Sequence, residues 1–367
     1  MRILYWTDLF LPHIGGIETF SLDLIPALQA RGHEVTVLTS PHVATLPSVE
    51  QMGSITVHRF DVWEAIQSKD LKKLISVRRA VTEFKRELNP DLTHVHFGAT
   101  SYMHLQTETA KCTPTLTTVH AFPKSSLTAD SLLRKVVYAS RAVNAVSANG
   151  YQVLDRAFPD IADRLSYVYY GLAPSARSAV EVAPPSFDAP IFLCLGRLAP
   201  QKGFDLALKA FARVEKIISR ARLMIVGEGV EEPALKQLAA GLGIADRVDF
   251  TGSVPPQDVY GVINKATIVL LPSRFEGLPL VALQAAKMQR PIVSSDVDGL
   301  PELVTDQESG VVLKENNELE LADAILALMQ NPEKAIAMGQ AVAQRFEARF
   351  AFDHCVDQYE RLYRQIA

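Results

Sequence analysis

Two doubly wound α/β domains in tandem are the architecture this sequence predicts, on three observations. Short apolar runs alternate with longer amphipathic ones, the pattern that gives parallel sheets covered on both faces. The alternation stops in a proline-rich stretch and then starts again. The chain has 367 residues, 48% of them hydrophobic, which is enough for two cores and excludes disorder.

In the first half the runs Ile3–Thr7, Val35–Thr39, Ile55–Phe60, Leu92–His96, Thr115–Val119, Ala142–Val146 and Ser166–Tyr169 predict strands. Helical periodicity falls at 17–31, 70–88, 101–111, 130–140 and 148–157. Pro26 lies inside the first of these, so a kink or an early stop is expected there. Residues 41–53 and 121–130 read as loops. Pro174, Pro184, Pro185 and Pro190 mark a linker over 173–190, separating a domain at 1–172 from one at 191–349. In the second half Ile191–Leu195, Leu223–Val226, Val248–Phe250, Ile268–Leu271 and Ile292–Ser294 predict five more strands, and the tail from Asn317 is helical.

Several function classes drop out. The net charge of −4 argues against a nucleic-acid partner. Cys112, Cys194 and Cys355 have neither disulfide nor zinc spacing, which fits a reducing compartment. Asp8 breaks the first apolar run before it resembles a signal peptide, and no run is long enough to span a bilayer. A cytoplasmic protein is expected.

In open parallel sheets ligands bind beyond the carboxyl ends of the strands, and the chemistry-bearing residues lie there. Gly196–Gly203 carries Arg197 and Lys202 on a tight loop that opens a helix at about Gly203. Two cations beside a helix N-terminus suit a diphosphate that gains charge as it leaves carbon. The plain alternative is a surface loop with solvated cations. Phe275–Gln284 follows another strand, and Pro279 suits the first position of the next helix. Glu276 can accept from vicinal hydroxyls beside the N–H groups of the Gly277–Leu280 loop, or it can merely complement the helix dipole. Gly15 and Gly16 open the first helix, where backbone N–H groups can approach a phosphate; a helix start that simply needs glycine explains them equally. His120 ends a strand, with His13 and His96 expected on the same cleft edge, although a histidine is more often structural. Asp296 and Asp298 are spaced like a metal motif, but with no further ligand beside them Asp298 reads as a helix-start residue. No metal is expected.

A basic stretch runs from Lys69 through Lys72, Lys73, Arg78, Arg79 and Lys85 to Arg86, with Leu71, Leu74, Val81, Phe84 and Leu88 as its buried stripe. It is either a solvated helix face or a patch that docks on anionic membrane.

The Gly-Gly-x-Glu start, the Gly-Arg-Leu…Lys-Gly loop, Val226-Gly227-Glu228-Gly229 and Phe275-Glu276-Gly277-Leu278-Pro279 occur in an order that resembles the GT-B-fold retaining glycosyltransferases of family 4 (group 1), from residue 1 to the last helix. The resemblance implies an acceptor-binding N-terminal domain, a nucleotide-sugar-binding C-terminal domain, a cleft between them, and a last helix at 350–367 that crosses back to the first domain. It implies that Arg197, Lys202 and the Gly16 amide hold the donor diphosphate. Glu276 with Gly277 and Leu278 would hold the sugar, His120 would border the anomeric carbon, and Gly252, Ser253 and Val254 would line the base beside Gly227. Gly15 would border the donor beside Gly16. The family retains configuration by front-face attack, with the leaving phosphate as base, and generally needs no metal. The expected partners are a UDP- or GDP-linked sugar as co-substrate and a glycan or lipid-linked acceptor, with no further cofactor.

One departure is Gln284, where the family places a second Glu on the ribose hydroxyls; a neutral bond there costs about 1 kcal/mol of donor affinity. Two alternatives stay open: a nucleotide-sugar 2-epimerase of the same fold, and a degenerate relative that only binds nucleotide. The absence of GxGxxG after the first strand disfavours a dehydrogenase.

Overall fold

Strands that read as uninterrupted aliphatic runs need cover on both faces, and the parallel sheets seen here provide it. The computed structural model describes residues 1–128, 130–174 and 180–367. Residues 175–179 of the expected linker and Ala129 of the expected 121–130 loop lie outside the described residues. The chain divides into two units, Met1–Tyr169 with Asp353–Ala367, and Tyr170–Phe352.

The first unit contains β1 (Arg2–Trp6), α1 (Gly16–Ala30), β2 (Glu34–Thr39), β3 (Val49–Met52), β4 (Ile55–Arg59), α2 (Val62–Ser68), α3 (Leu71–Leu88), β5 (Leu92–His96), α4 (Ser101–Leu105), β6 (Thr115–Val119), α5 (Leu132–Ala139), β7 (Ala142–Ala145), α6 (Ala148–Ala157) and β8 (Leu165–Tyr167). Its eight strands run in the order β3-β4-β2-β1-β5-β6-β7-β8, parallel except for β3. The second unit contains β9 (Ile191–Leu195), α7 (Phe204–Val214), β10 (Arg222–Val226), α8 (Glu232–Gly241), β11 (Val248–Phe250), α9 (Val259–Lys265), β12 (Ile268–Leu271), α10 (Leu280–Lys287), β13 (Ile292–Ser295), α11 (Leu300–Leu303), β14 (Val311–Leu313), α12 (Glu318–Gln330) and α13 (Pro332–Arg349). Its six parallel strands run β11-β10-β9-β12-β13-β14. The last helix, α14 (Phe352–Ile366), carries the chain into the first unit, where Tyr359 and Tyr363 are fully buried.

Several local expectations are corrected. Helix α1 does not stop at Pro26 but continues to Ala30, with Phe20, Leu24, Ile25 and Leu28 buried along it. The 41–53 segment is not all loop: Val49–Met52 adds an antiparallel edge strand to β4. The 101–111 helix ends at Leu105 and is followed by a separate 3₁₀ turn over Glu108–Lys111. Residues 180–190 are pinned to the second unit, since Ala183 donates its N–H to Asn264 (3.1 Å) and Thr267 Oγ1 donates to the Ser186 carbonyl (2.6 Å).

On α3, Leu71 is 69% exposed rather than buried: it lies in the first turn, ahead of the stripe of Leu74, Val77, Val81, Phe84 and Leu88 that packs on the sheet. Lys85 is the converse. Its position on that stripe carries it inside, where Nζ reaches His104 Nδ1 (3.1 Å) and Thr107 Oγ1 (3.0 Å), and burial lowers its pKa to about 7.

Candidate active site

In the second unit the strand order reverses at β9, so the loops after β9 and β12 open beside each other at the carboxyl edge. The loop after β9 is packed against its neighbours on both sides. On one side a Cβ on Gly227 would stand 2.0 Å from the Gly196 carbonyl oxygen, and one on Gly229 would stand 2.2 Å from that of Leu198. Only glycine allows that approach, and Leu198 N–H reaches the Glu228 carbonyl (2.9 Å) across it. On the other side Gly203, with φ +66°, lies against the Pro272 carbonyl, and Arg274 N–H bonds to the Gln201 carbonyl (2.8 Å).

This zipping brings Lys202 and Glu276, 74 residues apart, together: Nζ is 2.6 Å from Oε1. Ser273 Oγ donates to the same oxygen (2.8 Å). Glu276 is 7% exposed. It lies four residues before α10 and serves an ion pair, so dipole complementation does not account for it. Arg197 is exposed and makes no ion pair among the described residues.

Two expectations near Glu276 change. Pro279 precedes α10 as its cap residue instead of occupying the first helical position, one residue short of the reading from sequence. Asp298 is not a helix cap. It has φ +46°, α11 starts at Leu300 after Gly299, and its Oδ2 accepts the Glu276 backbone N–H at 2.6 Å. Together with the Gly299 N–H to Gly277 carbonyl bond (2.8 Å), it anchors the loop that carries Glu276. Sequence reasoning missed this role because the partners are 22 residues apart on separate loops.

Leu278 and Gln284 are buried next to this loop, at 2% and 8% exposure. Gly252 sits beside Glu228, whose carboxylate accepts from the Ser253 N–H (3.3 Å), so Gly227, Gly252, Ser253 and Val254 form the flank beyond β10 and β11.

In the first unit the expected residues stand at the carboxyl edge as well. Gly15 leaves room for the Glu18 carboxylate, which would lie 2.4 Å from a Cβ at that position. Gly16 has no atom within 4 Å of its own Cβ position. His120 follows β6 and faces His96, with Nε2 2.7 Å from His96 Nδ1 and the ring planes 11° apart. Burial pushes the His120 pKa down to about 3 and that of His96 well below the usual range, so both rings are neutral. His96 is 1% exposed and lies behind His120, not on an open edge. His13 packs near His42, with ring centroids 5.7 Å apart and planes tilted by 58°.

Lys69, Lys72, Arg78 and Arg79 are exposed on and beside α3, Lys73 pairs with Glu64 (2.5 Å), and Arg79 pairs with Glu83 (3.0 Å). Among the described residues no helix is long and apolar enough to cross a membrane.

Two family models match consecutive parts of this chain: Glycosyltransferase Family 4 over residues 14–175 and Glycosyl transferases group 1 over residues 181–345. The chain belongs to this glycosyltransferase family. Its two tandem Rossmann-like units are those of the GT-B fold. It is similar to the GDP-mannose-dependent alpha-(1-6)-phosphatidylinositol monomannoside mannosyltransferase of Mycobacterium tuberculosis, 27% identical over 96% of this chain and 95% of that one. It is 33% identical to the alpha-D-kanosaminyltransferase of Streptomyces kanamyceticus, in a match that spans 49% of this chain and about half (46%) of that relative. Among solved structures, Anabaena HepE in complex with UDP-glucose superposes with a TM-score of 0.76 at 19% identity, covering 100% of both chains.

Proposed function

We propose that this glycosyltransferase moves a sugar from a UDP- or GDP-linked donor to a hydroxyl on a glycan or glycolipid intermediate, with retention of configuration. The observation that carries the reading is the Lys202–Glu276 pair at the strand-order reversal of the second unit, with Arg197 exposed beside it. The named relatives support a nucleotide-sugar donor: one uses GDP-mannose, and a neighbour holds UDP-glucose.

In this reading Arg197 and Lys202 stabilise the charge that develops on the diphosphate, aided by the Gly16 amide. Glu276 accepts from sugar hydroxyls, with the Gly277 and Leu278 amides beside it. Gly227, Gly252, Ser253 and Val254 flank the base, and Gln284 bonds the ribose. His120 borders the sugar as a neutral hydrogen-bonding group. The bond from the anomeric carbon to the diphosphate oxygen breaks as the acceptor oxygen bonds that carbon from the same face. The acceptor proton passes to the departing diphosphate. Two side-chain cations take the charge that a divalent metal carries elsewhere, and the donor is a co-substrate, not a resident cofactor.

The enzyme is proposed to be cytoplasmic and to dock on anionic membrane through Lys69, Lys72, Lys73, Arg78 and Arg79. Support comes from Leu71 and Ile75, 69% and 49% exposed among these cations. Sedimentation with anionic vesicles at low salt tests this, and protein left in the supernatant removes it.

Thermal shift against UDP, GDP, ADP and their sugar conjugates, with and without EDTA, tests the donor site. One base series at 100 times its Kd should add about 2.7 kcal/mol of apparent stability, unaffected by EDTA. No shift with any nucleotide would overturn the proposal and leave the degenerate relative. Turnover of a donor with no acceptor into a second nucleotide sugar would mark an epimerase.

A further inference from the structure

We propose that His96 is a positioning residue for His120: it donates its Nδ1–H to Nε2 of His120 and thereby holds that ring in one orientation and one tautomer, with the proton on Nδ1. The proposal deepens the reading that His120 borders the donor sugar, and rests on it.

The direction of the bond follows from a proton count. A 2.7 Å contact between His96 Nδ1 and His120 Nε2 requires one proton between the two nitrogens. The other nitrogen of His96, Nε2, is buried without a hydrogen-bond partner. Were the proton of His96 on Nε2, an N–H would be buried with no acceptor. With the proton on Nδ1, only a lone pair goes unused, and that is the cheaper loss. His96 is therefore the donor, and His120 must carry its proton on Nδ1.

The orientation of His96 is held by two neighbouring rings. Its ring lies 4.3 Å from those of Tyr5 on β1 and His94 on β5. His94 is itself fully committed, with Nδ1 2.8 Å from the Tyr363 hydroxyl of α14 and Nε2 2.8 Å from Thr118 Oγ1. The Tyr5 hydroxyl bonds Ser21 (2.7 Å), which donates to the Ile17 carbonyl (2.7 Å) in the first turns of α1. The stack thus connects the helix that begins at Gly16 with the ring of His120. The ionisable groups facing it are Tyr5, His94, Glu18 of α1, and Cys355, Tyr359 and Tyr363 of α14.

The arrangement also opposes a charge on His120. An imidazolium there would turn Nε2–H against the His96 Nδ1–H, and His96 could yield only by moving its proton to the partnerless nitrogen. His120 is thereby kept as an uncharged group of fixed hydrogen-bonding direction.

The test compares wild type with His96→Leu, His96→Asn and His120→Ala, measuring release of UDP or GDP from UDP-glucose or GDP-mannose by transfer to water. His96→Leu should lower kcat about tenfold or more while the donor KM stays within about twofold. It should also introduce an acid limb near the ordinary imidazole pKa of about 6.5, as His120 becomes free to protonate. His96→Asn, whose amide N–H can replace the Nδ1–H, should restore most of kcat and remove the limb. Wild-type kcat in His96→Leu, or equal damage in both variants with no acid limb, overturns the proposal. Full activity in His120→Ala overturns instead the underlying reading of His120. Should His96→Leu fail to fold, ring ¹⁵N shifts of the wild-type protein decide: Nε2 of His120 is expected to be unprotonated at neutral pH, and a protonated Nε2 refutes the assignment.

Discussion

Lys202 and Glu276 in the second unit hold each other through a charged hydrogen bond, whereas His96 and His120 in the first hold each other through an uncharged one. All nine histidines lie in the first unit. The second unit assembles its site from a cation and a carboxylate on loops at the sheet edge, with a further cation in solvent, and a charged ligand can redirect such groups. The first unit assembles its site from buried rings whose protonation is suppressed, and there geometry matters more than charge. One half is suited to an anion, the other to orienting an uncharged partner.

The sharpest way to break this contrast is to remove charge where it is said to matter. Glu276→Gln should lower kcat/KM about 100-fold, about 3 kcal/mol, because it leaves the partly buried Lys202 without its counter-charge and weakens the acceptor for sugar hydroxyls. Steady-state release of the nucleotide diphosphate measures it. A loss under about threefold would mean the ion pair is only structural.

The histidine half predicts a loss of stability between about pH 7 and 5.5 for which the second unit, with no histidine, has no counterpart. Burial pushes His94 and His120 down to about 3, and His96 and His104 well below the ordinary value. Unfolded, these rings bind protons with a pKa of about 6.5 that the native rings refuse. Their contribution to stability is therefore full above about pH 6.5 and is lost as pH falls toward 3. Going from about pH 7 to 5.5 should cost about 1 kcal/mol per buried ring. Both tryptophans, Trp6 and Trp63, belong to the first unit, so their fluorescence in urea titrations reads that unit alone. A midpoint that does not fall with acid would contradict the buried, neutral assignment.

Two glycines sharpen the comparison. Gly16→Ala meets no atom within 4 Å and stands in a helix, so stability should hold or rise by about 0.5 kcal/mol. The donor KM should nevertheless rise about tenfold, about 1.4 kcal/mol, if the Gly16 amide lies against a phosphate. Gly227→Ala would put its Cβ 2.0 Å from the Gly196 oxygen and should lose stability and activity together. Paired melting and kinetic measurements separate the two, and an unchanged KM in Gly16→Ala removes the amide from the donor site. The smallest effect is expected at Gln284→Glu, which should lower the donor KM severalfold, about 1 kcal/mol, by restoring a charge-assisted bond. An unchanged KM would detach Gln284 from the ribose.

How much of this was legible along the chain follows the range of the interactions. Leu92–His96, Thr115–Val119, Ile191–Leu195, Val248–Phe250 and Ile268–Leu271 match the observed strands residue for residue; of these Ile191–Leu195 and Ile268–Leu271, central in their sheet, are apolar throughout, as strands covered on both faces must be. Strands β3 and β14 and the helix α2 were not visible, since at 4, 3 and 7 residues they are too short for periodicity to separate them from loop. The glycine-rich turns carrying Lys202 and Glu276 could be read because glycine at a strand end has few other uses. Asp298, Lys85 and His96 could not.

The sequence by itself determined the order of elements, the division into two α/β halves, and the residue types placed at the carboxyl ends of the strands, because these depend on local periodicity and steric freedom. Tertiary structure alone decided that Asp298 holds the Glu276 amide from a strained backbone, that Lys85 turns inward on a basic helix, and that Tyr363, 269 residues away, fixes His94 behind His96. Each depends on which strands become neighbours and how far water is excluded between them, and a polar side chain's partner and protonation are set by that enclosure and not by the residues next to it in the chain.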